Sequence, residues 1–138
     1  MQTSQIDEAA ALICQHWQAG KQMPTLPERC RPETRADGFA VQAAAARLLR
    51  QATLGWKIAA SSVAGQKHIG VDGPLAGRLL ATKVLVAGCN EANCIDLKSN
   101  ILRVAEPEFV FRMAQSLPPR HLTNSPYSQD EVMRAVDS

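Results

Sequence analysis

The stretch LGWKIAA, residues 54–60, predicts a short β-strand, and it marks the point where the chain changes from helical to extended patterning. Before it, apolar residues recur at three- and four-residue steps over residues 4–19 and 34–51, which predicts two helices. Prolines in residues 22–32 predict an irregular loop between these helices. After the strand, the glycines of residues 65–77 predict a loop with tight turns.

Two further strands and a last helix are predicted in the second half of the chain. Apolar runs over residues 79–87 and 101–113 favour the two strands. Ser128 and Glu131 have the spacing of a capping box, which begins the last helix. Because no sequence signal ends that helix before Ser138, we expect the chain to correspond to part of something longer.

The composition predicts one domain or less, with a thin apolar core. The chain has 138 residues and is 46% apolar, but 21 of its residues are alanine. Its 15 basic and 13 acidic residues are mixed along the whole length, which argues against a nucleic-acid-binding face. Long uncharged runs and a basic N-terminal region are both missing from the sequence, so we expect neither a membrane span nor a signal peptide. The cytoplasm is therefore the expected location.

The four cysteines are predicted to be free thiols. Cys14, Cys30, Cys89 and Cys94 include no C-x-x-C pair, which argues against a zinc site. Thiols remain reduced in the cytoplasm, so no disulfide is expected either.

Two glutamates on the predicted strand 101–113 are candidate metal ligands. Side chains alternate between the faces of a strand, so Glu106 and Glu108 share one face at a separation of about 7 Å. Like charges this close repel unless a cation neutralises them, and Mg²⁺ or Mn²⁺ prefers oxygen ligands. Such a site needs at least one more oxygen ligand. The alternative is an exposed polar face of an amphipathic strand.

Lys57 and the glycine-rich loop are further candidates for chemistry. Desolvation within an apolar strand lowers a lysine pKa and can make the amine a base at neutral pH, although a lysine can also extend to the surface. The loop sequence IGVDGP, residues 69–74, allows backbone groups to approach a ligand, but it also suits a tight surface turn. We expect the Lys57 ammonium to lie near Glu106 or Glu108.

Three segments in order resemble the 2-keto-4-pentenoate hydratases of the fumarylacetoacetate hydrolase superfamily: GWK at 55–57, IGVDGP at 69–74 and VAEPEF at 104–109. The resemblance implies an α+β fold in which a helical part, residues 1–53, leads into a mixed β-roll that begins within residues 54–138. It also implies a lyase that adds water to 2-hydroxypenta-2,4-dienoate and gives a 4-hydroxy-2-oxo acid. That reaction belongs to the meta-cleavage catabolism of aromatic compounds.

The resemblance also implies roles for individual residues. Lys57 matches the active-site lysine of the family, and Glu106 and Glu108 match its first two metal carboxylates, which hold Mg²⁺ or Mn²⁺. Members carry an acid/base aspartate just after the proline of the glycine loop, where this chain has Leu75. Asp72, three residues earlier, is the catalytic candidate that remains.

Two alternatives stay open beside the hydratase. A related decarboxylase of 2-oxo-3-enedioates would use the same metal-stabilised enolate, and a non-catalytic fragment or accessory subunit would keep the fold without the chemistry. The third metal carboxylate of the family lies beyond Ser138, so this chain corresponds to the N-terminal half and is expected to have little activity alone. We therefore expect a small dienoic acid substrate and a homo-oligomer or partner chain.

Overall fold

A computed structural model provides the coordinates, and the described parts of the chain are residues 1–88, 94–98, 100–102, 104–120 and 125–138. They fall into two compact units, Met1–Arg103 and Val104–Ser138. Within these described ranges, helices and a two-stranded antiparallel sheet form an α+β arrangement, as expected. None of the described helices is long and apolar enough to cross a membrane. The finer prediction of a mixed β-roll, and of a boundary after residue 53, stays a prediction.

The two predicted N-terminal helices are confirmed. Helix α1 spans Thr3–Gln18 and helix α2 spans Arg35–Leu48. Thr34 caps α2, since its Oγ1 accepts from the Asp37 backbone N–H at 3.1 Å while the Asp37 carboxylate accepts from the Thr34 N–H at 3.2 Å. An aspartate thus occupies the place in this capping box that glutamate usually takes. The proline-rich connection contains a single turn of 3₁₀ helix at Glu28–Cys30.

Small side chains make up the core between α1 and α2. Its buried members are Ala9, Ala10, Cys30, Val41 and Ala44. Alanine lets two helix backbones approach closely, but it contributes little apolar area when it is buried. The largest side chain that is completely buried among the described residues is that of Cys30. The core is therefore as thin as the alanine-rich composition predicts.

A hairpin with a helical connection follows the two helices. Strand β1, Thr53–Ala59, pairs antiparallel with strand β2, Leu75–Leu80, and the register places Lys57 opposite Gly77. Helix α3, Val63–Ile69, lies in the connection between the two strands.

The structure corrects the predicted loop over residues 65–77. The first part of that stretch is helical, because the Ser62 side chain caps α3 by accepting from the Gly65 N–H at 3.1 Å. Gly70 ends the helix with φ +70°, in the left-handed conformation that glycine adopts most easily. The last part of the stretch belongs to β2. The glycines of this stretch therefore lie within a helix, at its end, in a turn and in a strand.

The predicted strand over residues 79–87 is also wrong in its position. Strand β2 ends at Leu80, which pairs with Thr53, the first residue of β1. Beyond that pair one backbone hydrogen bond follows, from the Ala81 N–H to the Ala52 carbonyl oxygen at 3.0 Å, and the chain then turns into a 3₁₀ helix at Ala81–Lys83. An apolar run forms a strand only where a neighbouring strand supplies hydrogen bonds.

The predicted strand over residues 101–113 is wrong for the same reason. Its described residues form no ladder, and only Met113 makes a single β-bridge, with Val136. Next to this bridge, the Arg112 N–H donates to the Ser138 carbonyl oxygen at 2.6 Å, and the Asp137 N–H donates to the Arg112 carbonyl oxygen at 2.7 Å. Pro107, which lacks an N–H donor, further disfavours a ladder along this segment.

The last helix is confirmed, and its end differs from expectation. Helix α4 spans Gln129–Arg134, with Ser128 and Glu131 in the predicted capping box. It ends at Ala135, whose backbone N–H bonds back into the last turn, and the next residues pair with the segment around Met113. The expectation of a helix without an end is therefore incorrect, because the following residues return to an earlier segment.

Arg120 connects the loop before α4 to the helix itself. Its guanidinium lies 3.7 Å from the centre of the Tyr127 ring, and its Nη2 donates to Glu131 Oε1 at 2.6 Å. The Tyr127 hydroxyl donates to the Pro118 carbonyl oxygen at 2.7 Å. Hydrogen bonds from Arg120 and then from the Ser128 N–H lower the pKa of Glu131 to about 2. The carboxylate that caps α4 thus also holds the preceding loop.

The lowered pKa of Asp37 predicts that its carboxylate contributes to the stability of the fold in a pH-dependent way. A hydrogen bond from the Met1 α-amino group at 2.8 Å, followed by that from Thr34, lowers the pKa of Asp37 to about 2. A carboxyl group with a lowered folded-state pKa stabilises the fold above its ordinary pKa, and this stabilisation is lost as pH falls toward the folded-state value. We expect Asp37→Asn to lower the free energy of unfolding at pH 7, with a difference from wild type that shrinks between about pH 4 and pH 2. Urea denaturation at several pH values measures this, with the exposed Asp7→Asn as control; an equal Asp37→Asn deficit at pH 7 and pH 2 would contradict it.

The tight packing of α1 on α2 predicts a position-specific effect of larger side chains. Ala10 is completely buried, whereas the adjacent Ala11 is exposed on the same helix. Ala10→Leu should lower the free energy of unfolding by about 1–3 kcal/mol, because added methylene groups in a filled core force the helices apart. Ala11→Leu should be nearly neutral, since leucine and alanine have similar helix propensities. Chemical denaturation of both variants tests the packing, and equal effects would rule it out.

Candidate functional site

Lys57 lies at the centre of β1. The exposed residues of this strand are Leu54, Trp56 and Ile58, while Lys57 belongs to the alternate set, which is partly buried. The residue opposite Lys57 in the ladder is Gly77, which carries no side chain. The predicted strand therefore places its lysine on the less exposed face of the hairpin.

Asp72 lies in the turn before β2, and its carboxylate forms an ion pair with the Arg35 guanidinium. The Asp72 side chain is 93% exposed. Arg35, the first residue of α2, also donates from Nη1 to the Pro74 carbonyl oxygen at 2.7 Å. A side chain added at Gly73 would lie 3.6 Å from Arg35 Nη1. The observed role of Asp72 is thus to help Arg35 hold this turn against the start of α2.

Glu106 and Glu108 lie in the second unit, in a segment that forms no strand ladder with any residue the structure describes. Both residues are exposed. The alternation that predicted a shared face depends on an extended strand, and no neighbouring strand imposes that conformation here. The two glutamates remain two residues apart on the chain, but their spacing is not fixed by a sheet.

The described residues contain no group of three or more histidine, cysteine, aspartate or glutamate side chains that could hold a metal ion. Carboxylate oxygens still match the preference of Mg²⁺ and Mn²⁺, so Glu106 and Glu108 fit part of a ligand set. Water, substrate or another chain would have to supply the other oxygen ligands. Lys57 belongs to one unit and the glutamates to the other, so a site shared by all three stays a prediction.

The described cysteines are free thiols, as predicted, and Cys89 lies outside the described residues. Cys14 and Cys30 are buried, and Cys94 is exposed. Burial raises the pKa of the Cys14 thiol, whose Sγ lies 3.7 Å from the Ala45 carbonyl oxygen. A raised pKa keeps a thiol protonated and unreactive, so Cys14 serves the core.

Two grooves in the first unit escaped the sequence analysis. The helix groove, of about 390 Å³, lies between α1, α2 and β2, and its walls include Ile13, Trp17, Val41, Leu49 and Leu80. The aromatic groove, of about 260 Å³, is lined by Phe39, Gln42, Trp56, Ala76 and Arg78. Gln42 and Arg78 line both grooves. These residues lie far apart in sequence, and residues 75–77 were assigned to a loop, so no local pattern indicated either groove.

The candidate residues therefore occupy three different settings. Lys57 lies on a strand, Asp72 lies in a turn that Arg35 holds, and Glu106 and Glu108 lie in an exposed segment. Their assignment to one reaction rests on the three sequence blocks that resemble the hydratases. Comparisons of this chain with protein-family models, with curated proteins and with solved structures find no match.

Proposed function

We propose that this chain is a hydratase of the 2-keto-4-pentenoate type, which adds water to 2-hydroxypenta-2,4-dienoate or a close analogue. The observation that carries the proposal is the order of GWK, IGVDGP and VAEPEF along the chain, which supplies a lysine, an aspartate and two carboxylates in the family's sequence context. The expected setting is the cytoplasmic catabolism of aromatic compounds.

In this proposal each candidate residue has one task. Glu106 and Glu108 hold Mg²⁺ or Mn²⁺, and when bound the ion supplies positive charge that stabilises an enolate. Lys57 transfers a proton during the change from dienol to ketone, which suits an amine on a partly covered strand face. Asp72 is the candidate for a second proton transfer, with Arg35 fixing its orientation. Water then adds across the activated carbon–carbon double bond.

Two alternatives remain beside the hydratase. A decarboxylase of 2-oxo-3-enedioates needs the same enolate stabilisation and differs in losing CO₂, so product analysis separates it from the hydratase. An accessory subunit is favoured by one observation, namely that the described residues supply no cluster of three metal ligands. In that case a homo-oligomer or a partner chain completes the site.

Metal binding by the two glutamates is the first test. We expect Glu106→Gln and Glu108→Gln each to weaken Mn²⁺ binding about tenfold or more, because each removes a charged oxygen ligand. The exposed Glu33→Gln removes the same charge from the first unit and should leave Mn²⁺ affinity unchanged. Water-proton relaxation measured during Mn²⁺ titration reports binding without any need for turnover. Equal Mn²⁺ affinity in all three variants and wild type would remove the glutamates from the site.

Turnover of 2-hydroxypenta-2,4-dienoate with Mg²⁺ tests Asp72 and Lys57, with each variant compared with the wild-type chain, whose own activity alone is expected to be low. We expect Lys57→Met and Asp72→Asn each to lower kcat by about 10²–10⁴-fold, the range of a lost acid or base. Arg35→Gln breaks the same ion pair from the other side and should cost less activity, since an exposed pair contributes only about 0.2–1 kcal/mol. Equal losses for Asp72→Asn and Arg35→Gln would mean that Asp72 only holds the turn.

A further inference from the structure

Arg78 carries a positive charge without a carboxylate partner in the part of the chain that the structure describes. Its guanidinium lies over the Trp56 ring, 4.6 Å from the ring centre. One nitrogen, Nη1, donates to Thr53 Oγ1 at 3.2 Å. A guanidinium stacked on a ring keeps its remaining in-plane N–H groups accessible, and these form the fork that binds a carboxylate. Arg78 therefore presents a partly buried, stacked cation to its surroundings.

The surroundings of Arg78 are flat and largely apolar. The aromatic groove has the Phe39 ring on the α2 side and the Trp56 ring on the β1 side, with Ala76 between them on β2. Its volume of about 260 Å³ corresponds to roughly nine water-sized volumes of about 30 Å³, which is room for a planar ligand of one or two fused rings. Apolar walls with a small number of fixed polar groups are typical of small-molecule sites.

The position of Arg78 is fixed by its backbone. The Arg78 N–H donates to Gln42 Oε1 at 3.3 Å, and Gln42 Nε2 donates to the Ala76 carbonyl oxygen at 3.1 Å. The oxygen and the nitrogen of the Gln42 side-chain amide thus both form hydrogen bonds with the β2 backbone. The charged group in the lining of this groove is the guanidinium of Arg78, which selects a negative charge.

We propose that the aromatic groove binds a flat aromatic or conjugated carboxylate, with its carboxylate on Arg78 and its ring beside Phe39 and Trp56. A planar ring gains stacking on aromatic walls, and a carboxylate gains the paired N–H groups of the guanidinium. A neutral ligand loses the second gain, and a saturated ring loses much of the first.

This site is separate from the residues of the proposed reaction. Lys57 follows Trp56 directly in β1, so the two side chains lie on opposite faces of the hairpin. Binding in the aromatic groove needs no metal and no turnover. If the hydratase proposal fails, this inference therefore remains, and if this inference fails, the hydratase proposal remains.

Two tryptophans allow the binding position to be measured directly. Trp56 lines the aromatic groove and Trp17 lines the helix groove, so their indole N–H signals in a ¹H–¹⁵N spectrum report the two grooves separately. Trp17→Phe and Trp56→Phe assign the two signals. Titration with 2-naphthoate should shift the Trp56 signal and leave the Trp17 signal in place, with a dissociation constant of about 1 mM or tighter. A shift of the Trp17 signal alone would overturn the assignment.

Charge and shape are tested with matched ligands and variants. Arg78→Gln should weaken 2-naphthoate binding about tenfold or more, and Arg78→Lys should weaken it several-fold, because lysine keeps the charge and loses the planar fork. The exposed Arg47→Gln removes the same charge elsewhere and should bind as wild type does. Neutral 2-naphthamide and the saturated decahydro-2-naphthoate should each bind several-fold more weakly.

Three further results would overturn the inference. The first is equal affinity for 2-naphthoate and 2-naphthamide, and the second is unchanged affinity in Arg78→Gln. The third is a Trp56 signal that moves with protein concentration in the absence of ligand, which would mean that a second copy of the chain fills the groove.

Discussion

The packing of α1 on α2 through alanine is the contact on which the first unit depends. Ala9 and Ala10 of one helix and Ala44 of the other are buried, and their small volume brings the two backbones close together. The cost of this arrangement is a core that removes little apolar surface from water. Larger side chains such as Trp17 and Phe39 therefore remain at the margins of the helix pair, where they form groove walls.

Gln42 transmits the position of this helix pair to the hairpin. Its amide accepts from the Arg78 N–H and donates to the Ala76 carbonyl oxygen, which are the groups that a third strand would use. Strand β2 is thereby held against α2 and its outer edge is partly satisfied, so the side chain limits pairing with another strand there. The same contact sets the distance between Phe39 on α2 and Trp56 on β1, because β1 is paired with β2.

The elements that the sequence predicted correctly are those with local signals. The helices α1 and α2 follow from apolar periodicity, and the start of α4 follows from the capping box at Ser128 with Glu131. The strand predicted over 101–113 failed because a strand needs a partner, and whether one arrives depends on the whole chain. Arg35 with Asp72, and Arg78 with Trp56, escaped notice for a similar reason, since these contacts join residues far apart in sequence.

The candidate metal site also shows the difference between a local sequence signal and a contact that depends on the whole chain. The spacing of Glu106 and Glu108 is a local fact, but converging carboxylates also need a backbone that holds them, and no strand ladder within the described ranges does so. Each residue that must be fixed on binding costs about 1–2 kcal/mol of backbone entropy, so the free energy of metal coordination is partly spent on ordering the segment. An ion at these glutamates would therefore bind more weakly than at a preformed sheet site. A partner chain that paired with this segment would remove that entropy cost without adding a ligand.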